Sequence, residues 1–354
     1  MLPFKITPEQ AVQELLEFNK NLGDGLKTLV NIKDIDVGTA TKEVVYKEDK
    51  MVLYRYKPVV KMPAFPPILI VYALVNRPYM VDLQPNRSLV RNLLAAGQDV
   101  YLIDWGYPDQ SDRFLNLDDY INGYIDRCVK AICNRHSIDS VNLMGICQGG
   151  ALSLCYSALH PEKVKNLITM VTPVDFKTSD NLLSAWVAKL DVDLMVDTMG
   201  NIPGELLNWA FLSMKPFRLT GQKYLDVIDN LNDKTVAENF LRMEKWIFDS
   251  PDQAGEAFRE FATQFFQQNK LITGKIRIGD DYVNLKNITM PVLNIYATDD
   301  HIVPPSSSQA LADYIPSERY TEYSCKGGHI GVYVSARAQK EIPTTISTWL
   351  EKQG

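Results

Sequence analysis

The stretch that most constrains the fold of this chain is residues 141–150, which read VNLMGICQGG. Its apolar first half suits a buried strand, and the apolar segment that follows is long enough for a helix. Gly145, Gly149 and Gly150 carry no Cβ at the point where the strand and the helix must nearly touch. The spacing therefore predicts a strand, a very tight turn and a helix, with Cys147 at the apex of the turn.

A side chain at that apex is directed outward at the N-terminal end of the helix, where backbone N–H groups can receive an oxyanion. This position lowers the pKa of a cysteine thiol and so raises the fraction of thiolate, which is the nucleophilic form. The arrangement resembles the G-x-S-x-G nucleophile elbow of α/β-hydrolases, with Cys147 in place of the serine. The alternative is a buried cysteine in an ordinary strand-to-helix turn, and the partners of Cys147 must decide between the two.

Composition narrows the class of protein. The chain has 354 residues, more than the roughly 100 to 200 of a typical domain, so one large α/β domain with an insertion or two domains are both open.

A net charge of -6, without a Lys/Arg-rich run, argues against nucleic-acid binding. Five cysteines without a C-x-x-C pair fit neither a disulfide framework nor a zinc site, so we expect a cytoplasmic protein without a metal. No apolar run reaches the roughly 18 residues needed to span a membrane.

Strand patterns alternate with helix patterns over much of the chain, which predicts a mostly parallel, doubly wound α/β sheet. Helices are predicted over residues 7–29, 88–96, 117–136 and 342–351. Strands are predicted for a hairpin over 42–56 and then over 68–75, 99–106, 141–146, 166–172, 290–297 and 320–324.

Residues 177–287 interrupt this alternation with a pattern that is helical and rich in aromatic side chains. An insertion that begins after one core strand and ends before the next indicates a cap over the active-site end of the sheet. We therefore predict a catalytic core formed by residues 1–176 and 288–354 and an inserted helical cap over 177–287. The alternative is additional core without a lid role, because aromatic residues at helical spacing usually serve packing.

An activated cysteine needs a base, and the base needs an orienting group. Asp300 follows the strand over 290–297, and His329 lies in a glycine-rich loop after the last strand, so the chain order is nucleophile, acid, base, as in α/β-hydrolases. We place Asp300 ahead of Asp299 because it begins the loop. We place His329 ahead of His301, which we expect to line the pocket.

Backbone donors must complete such a site by stabilising the oxyanion. We expect one from the N–H of Gln148, directly after the nucleophile. The second should come from the loop after the strand that begins at Ile68, near Val75 or Asn76.

Five stretches of the chain match one known family: residues 71–79, 104–106, 145–150, 300–304 and 327–329. Together they resemble the catalytic subunit of class III poly(3-hydroxyalkanoate) synthases. The resemblance covers almost the whole chain. Glutamine after the nucleophile and the short chain without a long N-terminal domain resemble class III more than classes I and II. Class IV synthases have a similar length but usually carry methionine after the cysteine, and they are the class most easily confused with class III.

The resemblance implies an acyltransferase that polymerises (R)-3-hydroxyacyl-coenzyme A, mainly short-chain substrates such as 3-hydroxybutyryl-coenzyme A, and releases coenzyme A. It implies Cys147 as the nucleophile, His329 as the base and Asp300 as the acid, and leaves open whether Asp300 orients His329 or activates the hydroxyl. It also implies a second synthase subunit, a homodimer or hetero-oligomer, a location at polyester granules in the cytoplasm, and no cofactor. The alternatives are a cysteine thioesterase or esterase, with water as the acceptor, and a non-catalytic granule scaffold.

Overall fold

The computed structural model describes residues 35–61, 66–215 and 233–354, and the helix predicted over 7–29 lies outside these ranges. The strands are β1 (Lys42–Glu48), β2 (Met51–Tyr56), β3 (Ile68–Val71), β4 (Asp82–Gln84), β5 (Arg87–Ser88), β6 (Val100–Asp104), β7 (Val141–Ile146), β8 (Val164–Met170), β9 (Ile276–Ile278), β10 (Asp281–Val283), β11 (Val292–Ala297) and β12 (Tyr320–Cys325). Within the described ranges, eight of them form one sheet in the order β1-β2-β6-β3-β7-β8-β11-β12. The strands from β6 to β12 in this order run parallel, and β1 and β2 form the predicted antiparallel hairpin at one edge.

Helices connect these strands. They are α1 (Leu89–Ala95), α2 (Asp126–His136), α3 (Gln148–Leu159), α4 (Leu182–Val187), α5 (Val192–Met199), α6 (Gly204–Ser213), α7 (Lys234–Phe248), α8 (Gly255–Glu260), α9 (Lys270–Thr273), α10 (Pro305–Gln309), α11 (Gly331–Val334) and α12 (Ala336–Gln353). A π-helical segment, Asp119–Ile125, leads into α2, and a second one, Phe261–Gln267, follows α8. None of the helices in the described ranges is long and apolar enough to cross a bilayer.

The sheet is covered on both faces, as the side chains of β3 illustrate. Leu69 and Val71 belong to one hydrophobic cluster, whereas Ile68 and Ile70 belong to a second cluster, and all four are fully buried. Successive strand residues point to opposite faces, so a strand that is apolar at every position needs a core on each side. The predicted mostly parallel, doubly wound α/β architecture is confirmed.

Strand β3 is shorter than predicted, because the chain leaves the sheet after Val71 instead of continuing to residue 75. The carbonyl oxygen of Tyr72 accepts a hydrogen bond from the indole N–H of Trp105 at 3.0 Å. The backbone N–H of Leu74 donates to the side-chain oxygen of Gln148 at 3.1 Å. Side chains therefore replace the ladder partners of these backbone groups, and the apolar run ends as a loop.

The insertion over 177–287 is not uniform. Helices α4 to α7 lie within it, but its last part contains the hairpin of β9 and β10, which sequence reasoning missed because each strand has three residues. Ile276, Ile278 and Val283 of this hairpin are buried in the same hydrophobic cluster as Leu143 of β7 and Leu152 of α3. The hairpin thus packs on the core, as do Ala257 of α8 and Leu271 of α9, which belong to the same cluster. We refer to the earlier helices of the insertion, α4 to α7, as the cover.

Candidate active site

Cys147 lies between β7 and α3 with φ +54° and ψ -122°, a conformation that residues other than glycine rarely adopt. Its backbone N–H donates to the carbonyl oxygen of Met170 at 2.9 Å, which fixes the turn to the neighbouring strand. Such strained backbone persists only where the surrounding structure over-determines it. The turn holds the partly exposed thiol at the N-terminus of α3.

Glycine is required on the helix side of this turn. A Cβ at Gly149 would lie 2.3 Å from the carbonyl oxygen of Val71, and a Cβ at Gly150 would lie 1.8 Å from Oγ1 of Thr172. Both distances are far shorter than van der Waals contact. Because these glycines have no Cβ, α3 can lie close to β3 and to the end of β8. Cys147 then lies at the apex of the turn, as the glycine pattern predicts.

Asp300 and His329 form a buried pair. Nδ1 of His329 donates to Oδ2 of Asp300 at 2.7 Å, and the other carboxylate oxygen of Asp300 accepts the backbone N–H groups of Ile302 and Val303, each at 2.9 Å. Asp300 follows β11 and His329 follows β12, two adjacent parallel strands, so both side chains emerge at the same edge of the sheet. The carboxylate is thus held rigidly against the imidazole.

Three contributions set the pKa of His329. Burial by itself lowers the pKa, but the negative charges of Asp300 and of the Cys147 thiolate, each with a hydrogen bond to the ring, outweigh it and raise the pKa to about 10. The site therefore favours a protonated imidazole at neutral pH. An imidazolium in this place can stabilise negative charge that forms on the sulfur of Cys147 during the reaction.

The structure separates the candidate acids and bases. Asp299 is exposed, its N–H donates to the carbonyl oxygen of Gly327 at 2.8 Å, and its carboxylate accepts from Thr298 at 3.3 Å, so it belongs to the loop backbone. His301 lines the same cavity as Cys147. Asp300 is accordingly the acid that contacts His329.

The other two histidines lie elsewhere. Nε2 of His136 is 2.7 Å from the hydroxyl of Tyr101, and Nε2 of His160 is 2.7 Å from the side-chain oxygen of Asn122. Burial lowers the pKa of both rings. Neither histidine lines the cavity that contains Cys147.

The residues predicted to supply the oxyanion donors line the same cavity as Cys147. Gln148 opens α3, and Val75 and Asn76 lie in the loop after β3; all three line the cavity. Sequence reasoning missed a function of the Gln148 side chain, which accepts the N–H of Leu74 and so ties this loop to the helix N-terminus. Asn76 adopts φ +57°, a region that asparagine enters more readily than most residues.

Cys147 and His329 open into an apolar cavity of about 610 Å³. Much of its wall comes from the inserted segment, including Leu183, Trp186, Leu207, Phe211, Trp246 and Phe261. Asn181, Asn208 and Gln253 add polar groups that no sequence signal identified. The inserted helices thus cover the nucleophile with an apolar surface.

We also searched residues 35–61, 66–215 and 233–354 for a second reactive cysteine and for a metal site. Of the five cysteines, Cys147 is the one that lines the cavity, and burial raises the pKa of Cys128 and Cys155. No group of three or more His, Cys, Asp or Glu side chains within 35–61, 66–215 and 233–354 is placed to hold a metal ion.

The elbow, the adjacent acid and base loops and the inserted cover define a protein of the α/β-hydrolase fold. The family model of the alpha/beta hydrolase fold matches residues 66–336. A thermophilic esterase from Thermogutta terrifontis superposes with a TM-score of 0.53 at 15% identity, covering 89% of this chain and 99% of the esterase. A monoacylglycerol lipase from Paleococcus ferrophilus gives 0.51 at 16% identity, covering 85% and 99%. At these identities the likeness shows the fold alone.

Sequence relatives are more specific. The model of the poly-beta-hydroxybutyrate polymerase (PhaC) N-terminus matches residues 10–93. The poly(3-hydroxyalkanoate) polymerase subunits PhaC of Thiocystis violacea and Allochromatium vinosum are 60% and 61% identical, with full coverage of both chains in each case. The subunit of Synechocystis sp. is 54% identical over all of this chain and 96% of its own. This chain therefore belongs to the PhaC family of poly(3-hydroxyalkanoate) polymerase subunits, and the predicted family is confirmed.

Proposed function

We propose that this protein is the catalytic subunit of a class III poly(3-hydroxyalkanoate) synthase, which polymerises short-chain (R)-3-hydroxyacyl-coenzyme A (CoA) and releases CoA. The observation that carries the proposal is the placement of Cys147 beside the Asp300–His329 pair in the wall of an apolar cavity. The full-length identity to PhaC subunits supports the substrate class. We propose a reaction without a cofactor, in which the CoA thioester is the substrate.

In the first half-reaction, the Cys147 thiolate attacks the thioester carbonyl of the substrate. The tetrahedral oxyanion is stabilised by the backbone N–H of Gln148 and by one from Val75 or Asn76. The bond to the CoA sulfur then breaks, and the leaving thiolate takes the proton held by His329. One thioester replaces another, so the step costs little free energy.

In the second half-reaction, neutral His329 removes the proton from the 3-hydroxyl of a monomer or chain end. The alkoxide attacks the acyl group on Cys147, an ester forms, and the thiolate leaves to restore the ion pair. We assign Asp300 the orienting role, since one oxygen contacts Nδ1 and the other accepts two backbone N–H groups. This geometry supports orientation of the ring over direct activation of the hydroxyl.

Polymerisation requires that an alcohol reaches the acyl-enzyme before water does. The apolar side chains that the cover adds to the cavity of Cys147 support this, because an apolar surface around the reactive intermediate reduces its access to water. The cover is the feature that favours polymer over free acid.

We propose that the catalytic subunit works with a second synthase subunit, as a homodimer or hetero-oligomer, at the surface of cytoplasmic polyester granules. Exposed apolar side chains on the cover support such contacts: Leu194 is 63% exposed and Phe248 is 59% exposed. Apolar side chains exposed to water gain free energy when a partner protein or an apolar phase buries them.

The test supplies 3-hydroxybutyryl-CoA to the protein together with its partner subunit and measures released CoA, insoluble polyester and free 3-hydroxybutyrate. Polyester as the main product supports the proposal, whereas free acid in its place identifies a thioesterase. Cys147→Ala should abolish CoA release, and retained release would remove Cys147 as the nucleophile. No CoA release from the wild-type complex would favour a scaffold.

A further inference from the structure

The C-terminal turn of α7, in the cover, receives its hydrogen bonds from side chains far away in sequence. The last carbonyl groups of an α-helix have no partner within the helix. Nδ2 of Asn76 donates to the carbonyl oxygens of Ile247 at 3.2 Å and of Trp246 at 3.4 Å, and Nδ2 of Asn208 donates to that of Ile247 at 2.6 Å. Asn76 also donates to the side-chain oxygen of Asn208 at 3.3 Å. Two amides thus join the end of α7 to α6 and to the loop after β3.

Further contacts join the end of α7 to the region after Asn76 and to the loop after β6. The indole N–H of Trp246 donates to the carbonyl oxygen of Arg77 at 2.9 Å. Asp249, directly after α7, accepts the hydroxyl groups of Tyr79 at 3.0 Å and of Tyr107 at 2.6 Å. The residues directly after Asn76 are therefore also hydrogen-bonded to the end of α7.

The other end of this loop is attached to the catalytic elbow. Leu74 donates to Gln148, and the start of the loop lies so close to Gly149 that a Cβ there would be 2.5 Å from the carbonyl oxygen of Tyr72. The loop thus lies between the helix that carries the nucleophile and the last turn of α7. It also contains Val75 and Asn76, whose N–H groups are the candidate second oxyanion donors.

We infer that Asn76 is a positioning residue. It couples the packing of α7, in the cover, against the loop after β3 to the geometry of the oxyanion hole. The inference rests on the proposed function, since it concerns the same acyl-transfer site. When α7 is seated, its carbonyl groups hold the Asn76 amide and the loop backbone faces Cys147. When α7 moves away, the loop loses these anchors and the second donor leaves its position.

The coupling has a chemical consequence. Oxyanion donors act only when they are aimed at the developing charge within a few tenths of an ångström, and removal of one costs about 10²- to 10³-fold in kcat. An enzyme that acylates only under a closed cover does not expose its thioester to water. The Asn76 bridge provides that condition without contacting the substrate carbonyl through its side chain.

The first test replaces Asn76 by glycine, which accepts φ +57° without strain, keeps the backbone N–H and removes the side-chain amide. With 3-hydroxybutyryl-CoA and the complete synthase complex, we expect kcat for CoA release to fall about tenfold, less than for loss of a donor itself. KM should change less than about threefold, because the bridge acts on the transition state. Asn86→Gly, in an exposed turn outside the cavity, is the matched control.

The second test approaches the bridge from the cover. Asn208→Ala should lower kcat in the same direction, and the Asn76→Gly, Asn208→Ala double variant should lose less than the product of the two single effects, since both remove one bridge. A double variant whose fold-loss in kcat equals the product of the two single losses would overturn the coupling, as would a change in KM alone.

Hydrogen–deuterium exchange tests the bridge without substrate. Asn208→Ala, a change in the cover, should speed exchange of residues 72–79 in the core loop, and unchanged exchange in a folded variant would overturn the inference. If the wild-type complex makes no polyester, the proposed function fails, but this measurement still reports on the bridge. The two failures are therefore distinguishable.

Discussion

Nδ1 of His329 lies 2.7 Å from Oδ2 of Asp300, and the two side chains are only 7% and 1% exposed. The Asp300 carboxylate is held on its other side by the backbone N–H groups of Ile302 and Val303. A buried carboxylate with all of its bonds directed in this way fixes the tautomer and the tilt of the imidazole. The pair therefore presents the second ring nitrogen of His329 to Cys147.

Asp300→Asn tests the pair. The amide keeps the size of the carboxylate but removes the charge that stabilises the imidazolium, so we expect CoA release to fall about 10²- to 10⁴-fold. Steady-state release of CoA from 3-hydroxybutyryl-CoA measures the effect. The neighbouring exposed Asp299→Asn should stay within about twofold of wild type, and an equal loss in both variants would contradict the assignment.

The raised pKa of His329 predicts an unusual titration. Because Asp300 and Cys147 outweigh burial, the ring should lose its proton near pH 10 instead of near 6.5. His136 and His160, whose pKa burial lowers, should titrate below 6.5. A pH series of NMR spectra with labelled histidine measures all three rings.

The same titration in Asp300→Asn gives the direction of the charge effect. Loss of the carboxylate removes the foremost group that raises the pKa of His329, so the midpoint should move to lower pH. A His329 midpoint near 6.5 in the wild type would show that the charges do not outweigh burial.

Gly149→Ala tests the close approach at the elbow. The added methyl would meet the carbonyl oxygens of Val71 and Tyr72 at 2.3 and 2.5 Å, and backbone cannot move aside as a flexible side chain does. We expect a loss of about 1 to 3 kcal/mol in the free energy of unfolding, measured by urea denaturation. Gly331→Ala, where a Cβ meets nothing within 4 Å, should change it by less than about 0.5 kcal/mol.

Leu183→Ala tests the apolar cover. Leu183 lines the cavity, whereas the adjacent Leu182 does not and is 40% exposed. Enlarging the cavity should admit water to the acyl-enzyme and raise free 3-hydroxybutyrate relative to polyester about threefold or more, on the argument that solvent exclusion protects the intermediate. Leu182→Ala should keep the wild-type ratio, and the same ratio in both variants would contradict the role of the cover.

The sequence by itself determined the parts of this protein that depend on local sterics and on chain order. Gly149 and Gly150 around Cys147 predict the elbow, because only glycine fits where a helix meets a strand so closely. Alternation of strands and helices predicts the parallel sheet, whose adjacent strands then bring Asp300 and His329 to one edge. These are consequences of short stretches and of their order.

Only the tertiary structure decided how the site is covered and held. The amide of Asn76 meets the carbonyl oxygen of Ile247 across 171 positions of sequence, and the side chain of Gln148 holds Leu74 across 74. The early end of β3 and the packing of the β9–β10 hairpin on the core depend on the same kind of contact. No local pattern encodes them, because hydrogen bonds between distant segments form only after the core has packed and placed donor and acceptor together.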